Sequence, residues 1–145
     1  MFQLDVRSTV AALARLRQRL QAEQPELLRT IGRRVLDHAH EAFNIKAAGG
    51  VGADGIQWAA LTARYVRQRK AGSTIGVRSG VLRDPRFDRL EVGPDSVLVG
   101  FGDPHAEFFD EQRPLMPGRL PNPWYREAND FLQSRLNAAA EGISE

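Results

Sequence analysis

The sequence predicts a single α+β domain, a small antiparallel sheet packed by N-terminal helices and a C-terminal helix. Apolar residues recur at helical spacing through about the first 46 residues and again after Asn122. Between these stretches, the runs 87–92 and 97–101 flank the turn sequence Gly93-Pro94-Asp95-Ser96, the signature of a hairpin. Helices at both ends around a hairpin define the class. With 145 residues, 42% of them hydrophobic and 26% charged, the chain can build one core and is read as one domain.

Phe2-Gln3-Leu4-Asp5-Val6 alternates apolar and polar residues as a half-buried strand does, and Ser8 then offers an oxygen to cap a helix. Leu13, Leu16 and Leu20 give that helix an apolar side over about residues 9–22. Pro25 is expected to end it and to open a second helix, whose stripe of Leu27, Ile31, Val35, Ala39 and Phe43 runs to about residue 46. Residues 47–57 hold four glycines and read as a flexible loop. They follow a helix and lack a Gly-Lys-Ser/Thr ending, so a phosphate cradle is not expected. Trp58, Leu61 and Tyr65 line one side of a third helix ending by Gly72, with Thr62 at its cap and Arg64, Arg67, Arg69 and Lys70 on the other side.

A second flexible segment, 71–76, leads to a short helical turn over 77–83 that Asp84-Pro85 stops. The second hairpin strand, Val97-Leu98-Val99-Gly100-Phe101, is apolar on both faces apart from Gly100 and is expected inside a sheet with helices packed on at least one side. Asp103 to Phe109 suits a short helix with proline in its first turn, and Arg113 to Pro117 an edge strand or extended arm. Asn122-Pro123 opens the last helix, in which Trp124, Ala128, Phe131 or Leu132, and Leu136 share a face; the tail after 140 is expected to fray. Trp58, Leu61 and Tyr65 are expected to join Phe43 and Trp124 in one core.

Composition narrows the function. Cysteine is absent, which excludes disulfides, thiolate metal sites and a cysteine nucleophile. Neither a membrane-spanning run nor a signal-peptide layout is present, so a soluble, cytoplasmic protein is expected. Asp37, His38, His40 and Glu41 suggest a metal site, but helical residues two apart point about 200° apart, and a solvated helix face is the expectation. His105 stands without a nucleophile partner, and no Gly-x-Ser-x-Gly elbow occurs. Asp103, Glu107, Asp110 and Glu111 read as surface charge on a short helix. Neither an enzyme nor a bound cofactor or metal is expected.

The net charge of +2 hides an asymmetry. Residues 1–80 carry 13 Lys and Arg against 6 Asp and Glu, net +7, and residues 81–145 carry 7 against 12, net −5. Such a chain can meet a second copy face to back, as ring contacts require. The candidate elements are the basic helix with Arg64, Arg67, Arg69 and Lys70, and the acidic helix with Glu107, Asp110 and Glu111, where Phe108 or Phe109 supplies apolar contact. The competing reading takes the basic cluster, with Tyr65 interleaved, as the phosphate-contacting surface of a small nucleic-acid-binding protein. No helix-turn-helix, zinc or RNA-recognition signature accompanies it, so DNA contact is not the favoured reading.

The order of motifs is more telling than any one of them. Ala42-Phe43 closes the helical pair, then come the glycine-rich loop, Asp54-Gly55-Ile56-Gln57-Trp58-Ala59-Ala60-Leu61, Thr62-x-x-Tyr65 with Arg69-Lys70, and Ser79-Gly80-Val81-Leu82-Arg83. The Val97 to Phe101 strand, His105-Ala106, Arg113-Pro114-Leu115-Met116 and an amphipathic helix follow. Over roughly residues 10–138 this order resembles the phage virion morphogenesis, or tail completion, family of contractile-tailed phages and Mu-like prophages. His105 stands where that family usually has Tyr, Leu115 where it has Phe, and Asp84-Pro85 where it has a small polar residue. The neighbouring head–tail joining and minor tail component families share the layout. The resemblance implies a non-enzymatic virion component, assembled in the bacterial cytoplasm as a ring of its own copies on the tail tube or neck and connector proteins, without a membrane partner.

Overall fold

The computed structural model describes residues 7–68, 75, 81–104 and 106–142, apart from the side chains of Tyr65, Val81, Phe108 and Gln112. The expected strand at Phe2–Val6, most of segment 71–76, the start of the turn at 77–83 and the last three residues lie outside that range.

One helix, α1 (Arg7–Ala47), replaces the two expected on either side of Pro25, and runs for 41 residues, about 60 Å. A proline inside a helix removes one N–H donor and crowds the preceding turn. It does not end α1, because the helix is held on both sides of Pro25. Before it, Arg135 reaches Glu23 at 3.1 Å and Arg19 donates to the Gly142 carbonyl at 3.4 Å. Beyond it, Gly32, Val35, Leu36 and Ala39 are buried. Proline's fixed φ is itself helical, and the ~3 kcal/mol or more that the missing donor and the crowding cost is offset by these contacts.

The third helix is also shorter than its pattern. It is α2 (Ala63–Gln68), and Trp58 to Thr62 precede it without helical structure. Thr62 fits the cap position, since its carbonyl accepts from Val66 N at 2.9 Å. Two 3₁₀ turns follow, Val81–Arg83 and Pro85–Phe87. Asp84-Pro85 thus ends one turn and starts another: Asp84 accepts from Arg86 N, and Pro85 fills the first position, where no donor is needed.

The hairpin forms as expected, with β1 (Asp88–Val92) antiparallel to β2 (Val97–Phe101) and Leu90 opposite Val99. Gly93 N donates to Ser96 O at 2.8 Å across the turn. At the open end Gly102 N donates to Phe87 O at 2.7 Å, and a Cβ at 102 would overlap that oxygen, so glycine is required there. Helices α3 (Ala106–Gln112) and α4 (Asn122–Glu141) complete the fold. Residues 113–117 add no strand to the sheet; they run as an arm that buries Leu115. Two prolines in five residues deny the arm ladder donors.

Among the described residues the core is two clusters instead of one. Phe43, Ala47, Trp58, Leu82, Ala106 and Leu115 make the first; Val35, Ala39, Ala42 and Trp124 make the second. Half-buried Phe101 touches both. Trp124 therefore does not meet Trp58, because α4 packs farther toward the N-terminus of α1. Leu61 is only half-buried and joins neither cluster. On α4 the buried side is Trp124 and Ala139 with half-buried Ala128 and Phe131, while Leu132 and Leu136 are 42% and 39% exposed. The two leucines lie on the α4 flank that α1 leaves open.

Candidate assembly surface

The helix stripe that carries Ala39 and Phe43 also carries Lys46, whose ammonium is buried under the glycine-rich loop. Lys46 Nζ lies 2.5 Å from Asp54 Oδ2, and the two side chains are 1% and 4% exposed. The Trp58 ring covers the ammonium at 5.6 Å. A buried charge is tolerated only when paired and hydrogen-bonded, so this contact fixes where the loop must lie. The loop adds bonds of its own. Gly50 N donates to Ile45 O, Gly55 N to Gly52 O, Ile56 N to Asp54 Oδ1 and Gln57 Nε2 to Gly49 O, and Val51 bridges Gln57. A Cβ at Gly52 would stand 2.8 Å from Lys46 Cε, which is why that position lacks a side chain.

The loop delivers Trp58 to the first cluster. Its ring meets Phe43 and Phe109 edge-on at 5.3 and 5.2 Å, and its Nε1 donates to Pro114 O at 3.2 Å. Arg113 Nη2 donates to Ala59 O at 3.3 Å. The end of α3 is thereby tied to the stretch leading into α2, which begins four residues after Ala59, within about 14 Å of it.

Arg64 and Arg67 are exposed on α2; Arg69 and Lys70 lie outside the described residues. Glu107, Asp110 and Glu111 are exposed on α3, and Asp110 also accepts Leu115 N at 2.5 Å, holding the arm. Phe109 turns inward against Trp58 and Phe43, so it serves the core and not an interface; the Phe108 side chain is outside the described set. A cleft of about 700 Å³ opens beside α3, lined by Asp88, Arg89, Asp103, Glu107 and Asp110. Asp103 is buried instead of being the surface charge expected, Asp88 is held by His40 and Arg89 by Glu91, so Glu107 and Asp110 are its exposed acids. Its charge suits a basic side chain.

Asp37 and Glu41 are exposed, as expected of a solvated helix face, but the two histidines beside them are half-buried and engaged. His38 stacks on Trp124 at 5.3 Å with its Nε2 2.5 Å from Glu127 Oε2, and Arg34 contacts the other Glu127 oxygen. The hydrogen bond from His38, then that from Arg34, hold the Glu127 carboxyl below the ordinary glutamate range. His40 points the other way, 2.8 Å from Asp88 Oδ1 and edge-on to Phe101. The two imidazoles diverge as the helical spacing requires, one gripping α4 and one the sheet. Among the described residues no group of His, Asp and Glu side chains has metal-binding geometry.

No family model, curated protein or solved structure matches this chain.

Proposed function

We propose that this protein is a non-enzymatic structural component of phage or prophage tail assembly, a ring-forming tail completion or head–tail joining subunit. One observation carries the reading. Phe43, Trp58, Leu82, Ala106 and Leu115 come from five separate motifs of the family-like order, and all five are buried in one cluster. The motif order is thus the order in which the chain builds a core, so the likeness lies in what makes the fold. A core of that kind leaves the charged side chains of α2 and α3 at the surface, available to other subunits.

In this reading the acidic cleft beside α3 takes arginine side chains from a neighbouring copy, with Arg64 and Arg67 of α2 the donors. Exposed charge pairs add little affinity each. Assembly on a tail-tube template, where local concentration is high, then accounts for specificity without a tight free oligomer. The test is deletion of the gene in the phage or lysogen that carries it. Tails that accumulate without joining filled heads, restored by the gene supplied in trans, support the proposal; an undiminished yield of complete particles overturns it. Salt-dependent retention on DNA, abolished by Arg64→Ala with Arg67→Ala in a protein dispensable for tails, would favour the nucleic-acid reading.

A further inference from the structure

The hairpin has two strands, so among the described residues both of its edges lack a neighbouring strand. Gly93–Ser96 and Phe87–Gly102 are hydrogen-bonded positions of its ladder. Antiparallel alternation then makes Glu91–Leu98 and Arg89–Gly100 bonded pairs as well, and turns the N–H and C=O groups of Leu90 and Val92 outward along β1. The side chains of Leu90 and Val92 are half-buried and belong to neither core cluster, whereas Val99 and Phe101 of β2 already pack in the Trp124 cluster with Met116. The β1 edge thus has ladder groups to offer and, on the side facing α1, apolar surface still to cover, whereas the exposed apolar residue of β2, Leu98, lies on the opposite side.

A short segment whose pattern fits that edge, and which no sheet of the described residues already holds, is Phe2-Gln3-Leu4-Asp5-Val6. As an added strand it would lay Phe2, Leu4 and Val6 on the face of Leu90 and Val92, and Gln3 and Asp5 on the face of Arg89 and Glu91, where Asp5 meets the exposed Arg89. Its own hairpin is out of reach. Gln24 Nε2 touches Pro94 O at 2.7 Å, which places the hairpin tip 17 residues, about 25 Å, up the helix from Arg7, on the stretch before Pro25. Leu90 lies farther still, against Gly32. Phe2 is five residues from Arg7 and extends at most about 17 Å. From these distances we propose that Phe2–Val6 of one copy adds as a strand to the β1 edge of a second copy, so that self-association is built on backbone pairing.

The proposal needs only a second copy and stands apart from the tail reading. The absence of native cysteine makes its test clean. Gln3→Cys and Glu91→Cys proteins are prepared separately, mixed and treated with a short bismaleimide; a covalent pair of one chain of each is expected. In the double variant the cross-link must join different chains. A cross-link confined within single chains, or none between the mixed proteins at the highest soluble concentration, overturns the proposal. Leu4→Pro removes a ladder donor in a segment that precedes every helix, and should weaken self-association about tenfold or more in sedimentation equilibrium with helical circular dichroism unchanged. Association unaltered by Leu4→Pro also overturns it. A protein that cross-links between copies yet proves dispensable for tails refutes the tail reading alone.

Discussion

Lys46 and Asp54 form an ion pair at 2.5 Å that is almost wholly removed from water, beneath the Trp58 ring. The pair joins the last turn of α1 to the loop that carries Trp58 into the core. Either charge left alone would be buried without compensation, so Asp54→Ala or Lys46→Met should each destabilise the fold by about 3–5 kcal/mol. The double variant Lys46→Met with Asp54→Ala should cost clearly less than the sum. Urea denaturation of the four proteins measures the coupling, and additive losses would show that the pair is not the loop's anchor.

Trp58 makes its contribution in two parts. The ring fills the space between Phe43 and Phe109, and the indole N–H satisfies the Pro114 carbonyl. Trp58→Ala should cost about 3–5 kcal/mol. Trp58→Phe keeps part of the ring contact and loses the bond along with some ring volume, for a smaller loss of about 1–3 kcal/mol. A change under about 1 kcal/mol in the alanine variant, by the same denaturation measurement, would contradict this burial.

How far the sequence revealed these features depended on whether the signal was local. The hairpin was legible to within a residue because turn residues and strand alternation are neighbours in sequence. Pro25 was misread because its cost is local but its compensation comes from α4 and the sheet, which no window around residue 25 contains. The helical spacing of Trp58, Leu61 and Tyr65 predicts a helix there, whereas the Val51–Gln57 bridge and the Lys46–Asp54 pair hold the chain leading into Trp58 non-helical. The one signal for that pair was Lys46 itself, a lone charge on an apolar stripe with Ala39 and Phe43. The exposed positions of Arg64, Arg67, Glu107, Asp110 and Glu111 follow from helical periodicity, but the tie between the end of α3 and the stretch before α2 rests on Arg113 and Ala59, 54 residues apart.

Gly32 sets the spacing between α1 and the sheet. A Cβ there would lie 2.8 Å from Val97 Cγ2 and 3.2 Å from both Leu90 Cδ1 and Val99 Cγ1. Gly32→Ala gains up to about 1 kcal/mol of helix propensity and loses a similar amount to that crowding, so its stability should stay near wild type. Gly32→Leu has no compensation and should cost about 1–3 kcal/mol by pushing the hairpin off the helix. Thermal unfolding of the two variants separates these outcomes, and a leucine variant as stable as wild type would mean that the hairpin moves without penalty.

Acid should loosen the contact between α1 and α4. Glu127 has its folded pKa depressed by His38 and Arg34, so its stabilisation is fully present above the ordinary glutamate value of 4.5 and is lost as pH falls through the lower folded value. Glu127→Gln should be less stable than wild type at pH 6 to 7, with the difference shrinking as pH falls below 4.5. A denaturation series across that range decides it. A difference that persists at low pH would assign Glu127 a packing role independent of its charge.

Charge exchange tests the assembly surface directly. Arg67 is exposed on α2 with its Nε on the Ala63 carbonyl of its own helix, and Glu107 is exposed on α3 at the acidic cleft. Reversing either should leave the fold intact, since exposed charges contribute little to stability. If the basic helix of one copy meets the acidic helix of the next, Arg67→Glu places like charges together at every subunit boundary, and a closed ring multiplies that penalty by its number of contacts. Arg67→Glu should therefore abolish tail completion in a complementation assay while its circular dichroism matches wild type. Glu107→Arg added to the same chain restores opposite charges across the boundary and should recover part of the activity. Normal completion by Arg67→Glu would exclude this pairing, and failure of the second change to rescue would move the partner of Arg67 from a second copy to another protein of the particle.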